Sequence, residues 1–492
     1  MDTSLSKNQK SGSVVLFFIQ IFSTFSFSIL YSTLVLYITN GLKLADTYAT
    51  TVTASFVAFN YALHLMGGFI TGRLFSHRFL FATGMILQTI GCYFLSLNYL
   101  YLGLAIYLSG AGLNVTCINC MLTQFFKPDD KRRERAFLWN YSAMNLGFFI
   151  GFTISGFYEK TANYSNLFLF GAVSNIITFL ITVFCWKILK DQNTYFSKLN
   201  FKKRKLLRFL GFVLIAALII SLIWLLRYSY FSNMMILIGG GIMFFLVIYF
   251  AITQSSKIAS KKIWAFLILS VMSIMFWTLY MTVPMGLTLF IEHNVNRHFL
   301  GIIVQPQWAL NINTIIIIIG GPVMAVLYKR LRQKGFNITI PIQFTLSLFL
   351  IGLAFILLAV SINFADANGY ISFNWIIISY ILQSIGELCI SPIGYAMIGQ
   401  LIPHRLQGIM TGTWMMLTGV AAILSNYFSQ MAIGASTKTN PLVTNPYFFK
   451  TFNILGFAAI IAGIITLCLV PFLHRLIKEK KPLFQKQPLL KD

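Results

Sequence analysis

An apolar run long enough to cross a lipid bilayer recurs fourteen times along this chain, with short polar or basic segments between the runs. Such a run needs about 20 residues when helical. In lipid, backbone hydrogen bonds can be satisfied only by helices or by a closed barrel, and these runs are too long and too uniformly apolar for barrel strands. The chain is therefore expected to be an all-α polytopic membrane protein. Composition agrees: 57% of the 492 residues are hydrophobic and 10% are charged, against about 25% charged in a soluble domain. The spans are expected at about 14–38, 49–72, 79–97, 100–126, 137–158 and 165–188, then 207–228 and 233–253, then 263–291, 307–329, 339–362, 371–401, 407–433 and 450–474.

The net charge of +25 could suggest nucleic acid, but its placement argues against it. Of the 37 basic residues, all but Lys43, Lys160, Arg227, Arg297, Lys438 and Lys450 fall in the tails or in alternate inter-span segments. Basic residues accumulate on the cytoplasmic side, so both termini are expected there. Met1–Gly12 reads as a polar tail, not a cleavable leader. The basic stretch 187–206 and the turn SKIASKK bracket the seventh and eighth spans. The expected units are residues 1–190 as a six-helix bundle, 191–260 as an inserted helical hairpin with a basic linker, 261–476 as a second six-helix bundle, and 477–492 as a cytoplasmic tail. Two six-helix halves suggest a repeat-built transporter with its site between them at mid-membrane. No GxxxxGK[ST] is present, so ATP is not an expected partner. No nucleophile, base and oxyanion set converges, so the chain is not expected to be an enzyme. Cys117 and Cys120 form a CxxC within an apolar span and read as small packing residues; no metal or cofactor is expected.

Only one of the twelve acidic residues, Glu387, falls in the middle of a span. An ionisable group at membrane depth is costly and marks a substrate or ion pathway. The plainer alternative is a protonated carboxyl hydrogen-bonded inside the bundle.

Several segments resemble the proton-dependent oligopeptide transporter family of the major facilitator superfamily. GELCISPIGYAMIGQLIPHRLQGIMTGTW (386–414) is similar to that family's tenth-helix GELxxSPxGLxxVxxLAPxRLxGxMMGxW. FWTLYMTVPMGLTLF, LNINTIIIIIGGPVMAVLY, YSAMNLGFFIG and GGFITGRLFSHR resemble its seventh-, eighth-, fifth- and second-helix patterns. The resemblance covers nearly the whole chain, and the inserted helix pair matches bacterial members. It implies a major facilitator fold of 6 + 2 + 6 helices in the inner membrane. It also implies proton-coupled uptake of di- and tripeptides by alternating access.

The departures concentrate at one end of the family's site. Its first-helix ExxER aligns with Gln20, Ser23 and Thr24, its fourth-helix Lys with Val115, and its seventh-helix Glu with Met281. In the family these groups face the peptide's carboxylate or carry protons. The groups that face the amino end are present as Asn145, Asn311 and Glu387. Losing the cations and their carboxylate partner together avoids leaving one buried charge unpaired. The Asp of the second-helix loop is Gly72, while Arg73 and Arg78 remain and are expected at a gate.

The candidate solute-binding residues are thus Glu387, Asn145, Asn311, Tyr141, Trp277 and Trp414. Both asparagines could instead join helices by amide hydrogen bonds, and both tryptophans could be plain packing. His64, the only histidine deep in a span, could relay protons with Glu387; its alternative is a neutral histidine hydrogen-bonded to a neighbouring helix. Pro284, Pro322 and Pro392 lie within spans and could hinge gates or simply curve helices. Partners are expected to be a small peptide or amine, protons and the bilayer. Two alternatives stand beside peptide transport. One is an uncoupled or potential-driven facilitator or exporter of an amine-bearing metabolite; the other is a receptor that binds without transporting. Amidated peptides are expected to compete at least as well as free acids.

Overall fold

The computed structural model describes residues 7–126, 130–191, 194–336, 338–434 and 440–477. Fourteen long helices run through these residues. The first six are α1 (Lys7–Leu36), α2 (Asp46–Ile70), α3 (His77–Ser96), α4 (Leu100–Thr123), α5 (Lys131–Glu159) and α6 (Tyr164–Phe184). A single turn, α7 (Tyr195–Lys198), leads into the pair α8 (Phe201–Arg227) and α9 (Ser229–Ile252). The second set begins with α10 (Lys257–Tyr280), which continues through a wide turn at Val283–Leu287 into α11 (Thr288–Asn294). It is completed by α12 (Pro306–Gln333), α13 (Ile340–Ile362), α14 (Phe373–Leu401), α15 (Gln407–Ile433) and α16 (Pro441–Ile477). Thirteen helical segments among the described residues are long and apolar enough to cross a bilayer. The long helix outside that set, α5, opens with KRRER and carries Asn140, Ser142 and Asn145 along its apolar stretch, and these polar residues lower its mean apolarity.

Several helices begin earlier than their apolar runs: α5 at Lys131, α8 at Phe201 and α10 at Lys257. Apolarity reports the thickness of lipid, whereas a helix starts where its first amides find acceptors. Asp130 accepts from Arg132 N at 2.9 Å, Asn200 from Lys203 N at 3.0 Å, and Ser256 from Ala259 N at 3.4 Å. Hydrogen bonds from Arg132 hold the Asp130 carboxyl below the usual carboxylate range. All of the expected tail 477–492 except Ile477, and residues 127–129 of KPDDKRRER, lie outside the described residues.

Apolar burial cannot hold helices together in lipid, so close contact must. Glycines supply it between α3 and α4. A Cβ on Gly110 would stand 2.4 Å from Gly84 O, and one on Gly103 would stand 2.9 Å from Gly91 O. Both helices carry their glycines seven residues apart, so two close crossings stack along one seam. Gly352 and Gly456 do the same for α13 and α16, where added Cβ atoms would lie 2.9–3.0 Å from the facing carbonyls. The pair α8–α9 lies outside the bundles, with α8 against α4 and α9 against α10 and α15. Its outer face is apolar and open, as at Ile220 and Phe245.

Gly72 lies at φ +72° in the turn between α2 and α3, where a side chain would be strained. An acid still reaches this turn: Asp191, beyond α6, accepts from His77 N at 2.9 Å at the start of α3. An acid suits that end of a helix.

The chain ends of α1 and α16 share one face of the molecule, here the terminal face. The opposite, distal face carries the loops after α1, α5, α11, α13 and α15. Two short ladders brace it. β1 (Val295–Asn296) pairs in parallel with β4 (Ile371–Ser372), Val295 opposite Ile371. β2 (His298–Phe299) pairs antiparallel with β3 (Ile302–Ile303) across Leu300 and Gly301, both at positive φ as such tight turns require.

Candidate functional site

Glu387 lies midway along the 29-residue α14. Its Oε2 accepts from Asn313 Nδ2 of α12 at 2.8 Å, and the same amide nitrogen donates to Ser384 Oγ at 3.0 Å. Ser384 in turn donates to Tyr380 O at 2.6 Å, which fixes its rotamer and so the amide. The hydroxyl of Tyr280, at the end of α10, donates a further hydrogen bond to Glu387. Tyr31 of α1 and Tyr141 of α5 stand within electrostatic reach of the carboxylate, and Tyr61 of α2 within reach of Tyr31 and Tyr280. The acid thus belongs to the second set of helices, while hydroxyls from the first set face it. None of the ion pairs among the described residues involves Glu387. An ionised carboxylate held this way attracts a cation, and tyrosine rings beside it favour an ammonium.

The other sequence candidates fall in three places. Asn145 and Tyr141 are neighbours on α5: Asn145 Nδ2 donates to Tyr141 O at 2.9 Å, and Tyr141 is 38% exposed although it sits within the bundle. Trp277 packs edge-on to Tyr280, ring centroids 5.5 Å apart, one step removed from Glu387. Asn311 turns away from Glu387 and donates to Thr153 Oγ1 of α5 at 2.9 Å. Trp414 packs on Gly394 and Phe344 among α13, α14 and α15.

His64 meets the ring of Tyr61 edge-on at 6.0 Å, and neither ring nitrogen has a hydrogen-bond partner. Pro284 sits where α10 breaks: Met285 beside it has φ −127° and ψ −107°. Pro322 and Pro392 lie inside α12 and α14. Arg73 stacks over Phe69 at 4.8 Å, and Arg78 over Trp186 at 4.6 Å while donating to Trp186 O. Both arginines therefore engage partners in the first set of helices.

The positions that align with ExxER form a neutral chain. Gln20 donates to Thr24 Oγ1 at 2.8 Å and accepts from Asn140 Nδ2 at 3.0 Å. Ser23 donates to Gln20 O at 3.2 Å. Val115 is 44% exposed in mid-helix, and Met281 is buried.

Sequence reasoning missed Asn313, Ser384, Tyr280, Tyr31 and Tyr61. The signal for Asn313 was present: it is a second amide in LNINTIIIII, an otherwise apolar stretch. The tyrosines had no such signal, because each looks like any aromatic of a span until the helices are packed.

The two halves close on each other at the distal face. Gln307 Nε2 donates to Glu159 Oε2 at 2.7 Å and Trp308 Nε1 to Thr153 O at 2.9 Å, joining α12 to α5. Gln430 Nε2 donates to Thr51 Oγ1 at 2.7 Å, joining α15 to α2. His293 and Asp46 approach to 3.7 Å across the same seam. Glu159 also accepts from Tyr164 at 2.5 Å and Asn40 at 3.4 Å. The extended packing between halves follows α2 on α15 and α5 on α12.

Residues 74–444 match the sequence signature of the POT family. A dipeptide and tripeptide permease A of Citrobacter koseri is 30% identical over 482 residues, covering 96% of this chain and 94% of that protein. The permease of the same description from Cronobacter turicensis is 29% identical over 477 residues, covering 95% and 94%. A crystal structure of a peptide transporter POT in complex with sulfate superposes with a TM-score of 0.81 at 24% identity, covering 94% of this chain and 95% of that one.

Proposed function

Because this chain belongs to the POT family, we propose that it carries di- and tripeptides across the bacterial inner membrane by alternating access, with Glu387 as the acceptor of the peptide's ammonium. The multi-pass architecture and the permease relatives support the transport reading over a receptor or a metabolite facilitator. The observation that carries the site is the Glu387 carboxylate itself. It sits midway along a spanning helix, positioned by Asn313 and Tyr280, with hydroxyls of both halves around it and no cation paired to it among the described residues. A solute ammonium would supply the missing charge, and Tyr141, Asn145 and Trp277 would line its path.

In this reading the terminal face is cytoplasmic, as the basic residues imply. The distal contacts then form a shut outer gate, and the structure corresponds to the inward-facing half of the cycle. Residues 1–190 and 261–476 act as the moving halves, with 191–260 outside them. The break at Pro284 and Met285 is a hinge in the helix that crosses the site. Proton coupling is a property of the family. With neutral side chains at the ExxER positions, Glu387 is the proton carrier of this chain, and His64, which meets Tyr61 edge-on, takes no part in that step.

The test is competition against labelled dialanine in liposomes. Dialanine should compete fully, while N-acetyl-dialanine, which has no ammonium, should compete at least about tenfold more weakly, the scale of one hydrogen-bonded charge. Equal competition would remove Glu387 from ammonium recognition.

A further inference from the structure

A cavity of about 750 Å³ opens on the distal face over the seam between the halves. Lys43 and Lys160 border it from the first half, and Glu292, Arg297 and Gln305 from the second. Its charges are unevenly matched. Arg297 pairs with Glu292 at 2.7 Å and reaches Gln305 at 3.3 Å. Glu159, also on the wall, is held by Tyr164, Gln307 and Asn40. Neither lysine pairs with a carboxylate among the described residues; Lys160 lies over the ring of Trp308 at 5.0 Å. The acids are engaged by other partners and neither lysine has an acid paired to it, so the lining carries an excess of positive charge and favours an anion.

We propose that this cavity is a carboxylate-reading vestibule, in which Lys43 and Lys160 take the C-terminal carboxylate of a peptide before the peptide reaches Glu387. The inference rests on the peptide reading above. A free carboxylate finds no cation at Gln20, Ser23, Thr24, Val115 or Met281, and an unpaired charge is costly to bury. Any reading of the carboxylate must therefore take place elsewhere, and the cavity lies on the outer approach. Its volume is that of a small-molecule site. Its openness to water keeps each ion pair weak, which suits a site that must release its ligand inward. The wild-type protein is thus expected to prefer free acids, against the sequence-based expectation that amides compete at least as well.

The experiment measures initial uptake of dialanine and of alanyl-alaninamide by the full chain in liposomes, for wild type and for Lys43→Gln/Lys160→Gln. The wild type is expected to show the lower KM for dialanine. In the double variant KM for dialanine rises roughly threefold to tenfold, the scale of two exposed ion pairs. Its kcat is unchanged, and the amide is unaffected. Lys43→Arg/Lys160→Arg restores the preference, which a merely structural role would not predict. Equal changes for both peptides, or none, overturn the vestibule while leaving the peptide reading intact. A change seen only in liposomes with anionic lipid, and equal for both peptides, assigns the lysines to headgroups and also overturns it. If the wild type moves neither compound, the peptide reading fails and the vestibule falls with it.

Discussion

Asn311 and Asn313 stand two positions apart on α12, and a helix turns about 200° over two residues. They therefore face opposite ways: Asn311 toward Thr153 at the seam, Asn313 toward Glu387. This assigns them different work, which substitution separates. Asn313→Ala should remove a hydrogen bond to a charged group, a loss of about 1.5–3 kcal/mol, and raise KM for dialanine at least roughly tenfold. Asn311→Ala should leave KM within about threefold and act on the opening of the distal face instead. Uptake kinetics of the two variants side by side checks this; the reverse pattern would exchange their roles. Glu387 itself was legible in the sequence, because one acid among fourteen apolar runs needs no alignment to stand out. Asn313 was not, because in sequence it looks like its neighbour Asn311, and only the helix rotation shows which of them reaches Glu387.

At the scale of elements, the number of helices was legible and their starts were not. Apolar length reads lipid, whereas Asp130, Asn200 and Ser256 set the first turns of α5, α8 and α10. Helix contacts were legible only in part. The glycines of α3 and α4 mark a seam where backbones touch, while glycines of the outlying hairpin differ among themselves. A Cβ on Gly240 would meet Val420 at 2.4 Å, and one on Gly241 would meet nothing within 4 Å. Sequence shows a run of three glycines and cannot say which one is crowded. Gly110→Val should wedge α3 from α4 and cost about 1–3 kcal/mol, the usual range for overpacking. Gly241→Val should be near neutral. Thermal unfolding of both variants in detergent checks this, with a lowered midpoint expected for Gly110→Val alone.

For the whole molecule, the proposed binding centre and the seam are one system. Glu387 and Asn313 belong to the second half, and Tyr31, Tyr61 and Tyr141 to the first, so their spacing depends on how the halves sit. The distal contacts of Gln307, Trp308 and Gln430 hold one such arrangement, and their loss on the outer side would expose the centre to the opposite face. In the proposed scheme, charge replacement at the ExxER positions leaves Glu387, the acid at mid-span, to answer both solute and proton. The most direct measurement is uptake of labelled dialanine into liposomes under an imposed inward-acid gradient, for wild type and for Glu387→Gln with matched thermal stability. Gradient-stimulated uptake by the wild type, falling at least about a hundredfold in the variant, is the predicted result, since both the ammonium contact and the proton site are removed together. Dialanine uptake by Glu387→Gln equal to wild type, with the same response to the gradient, would contradict the account.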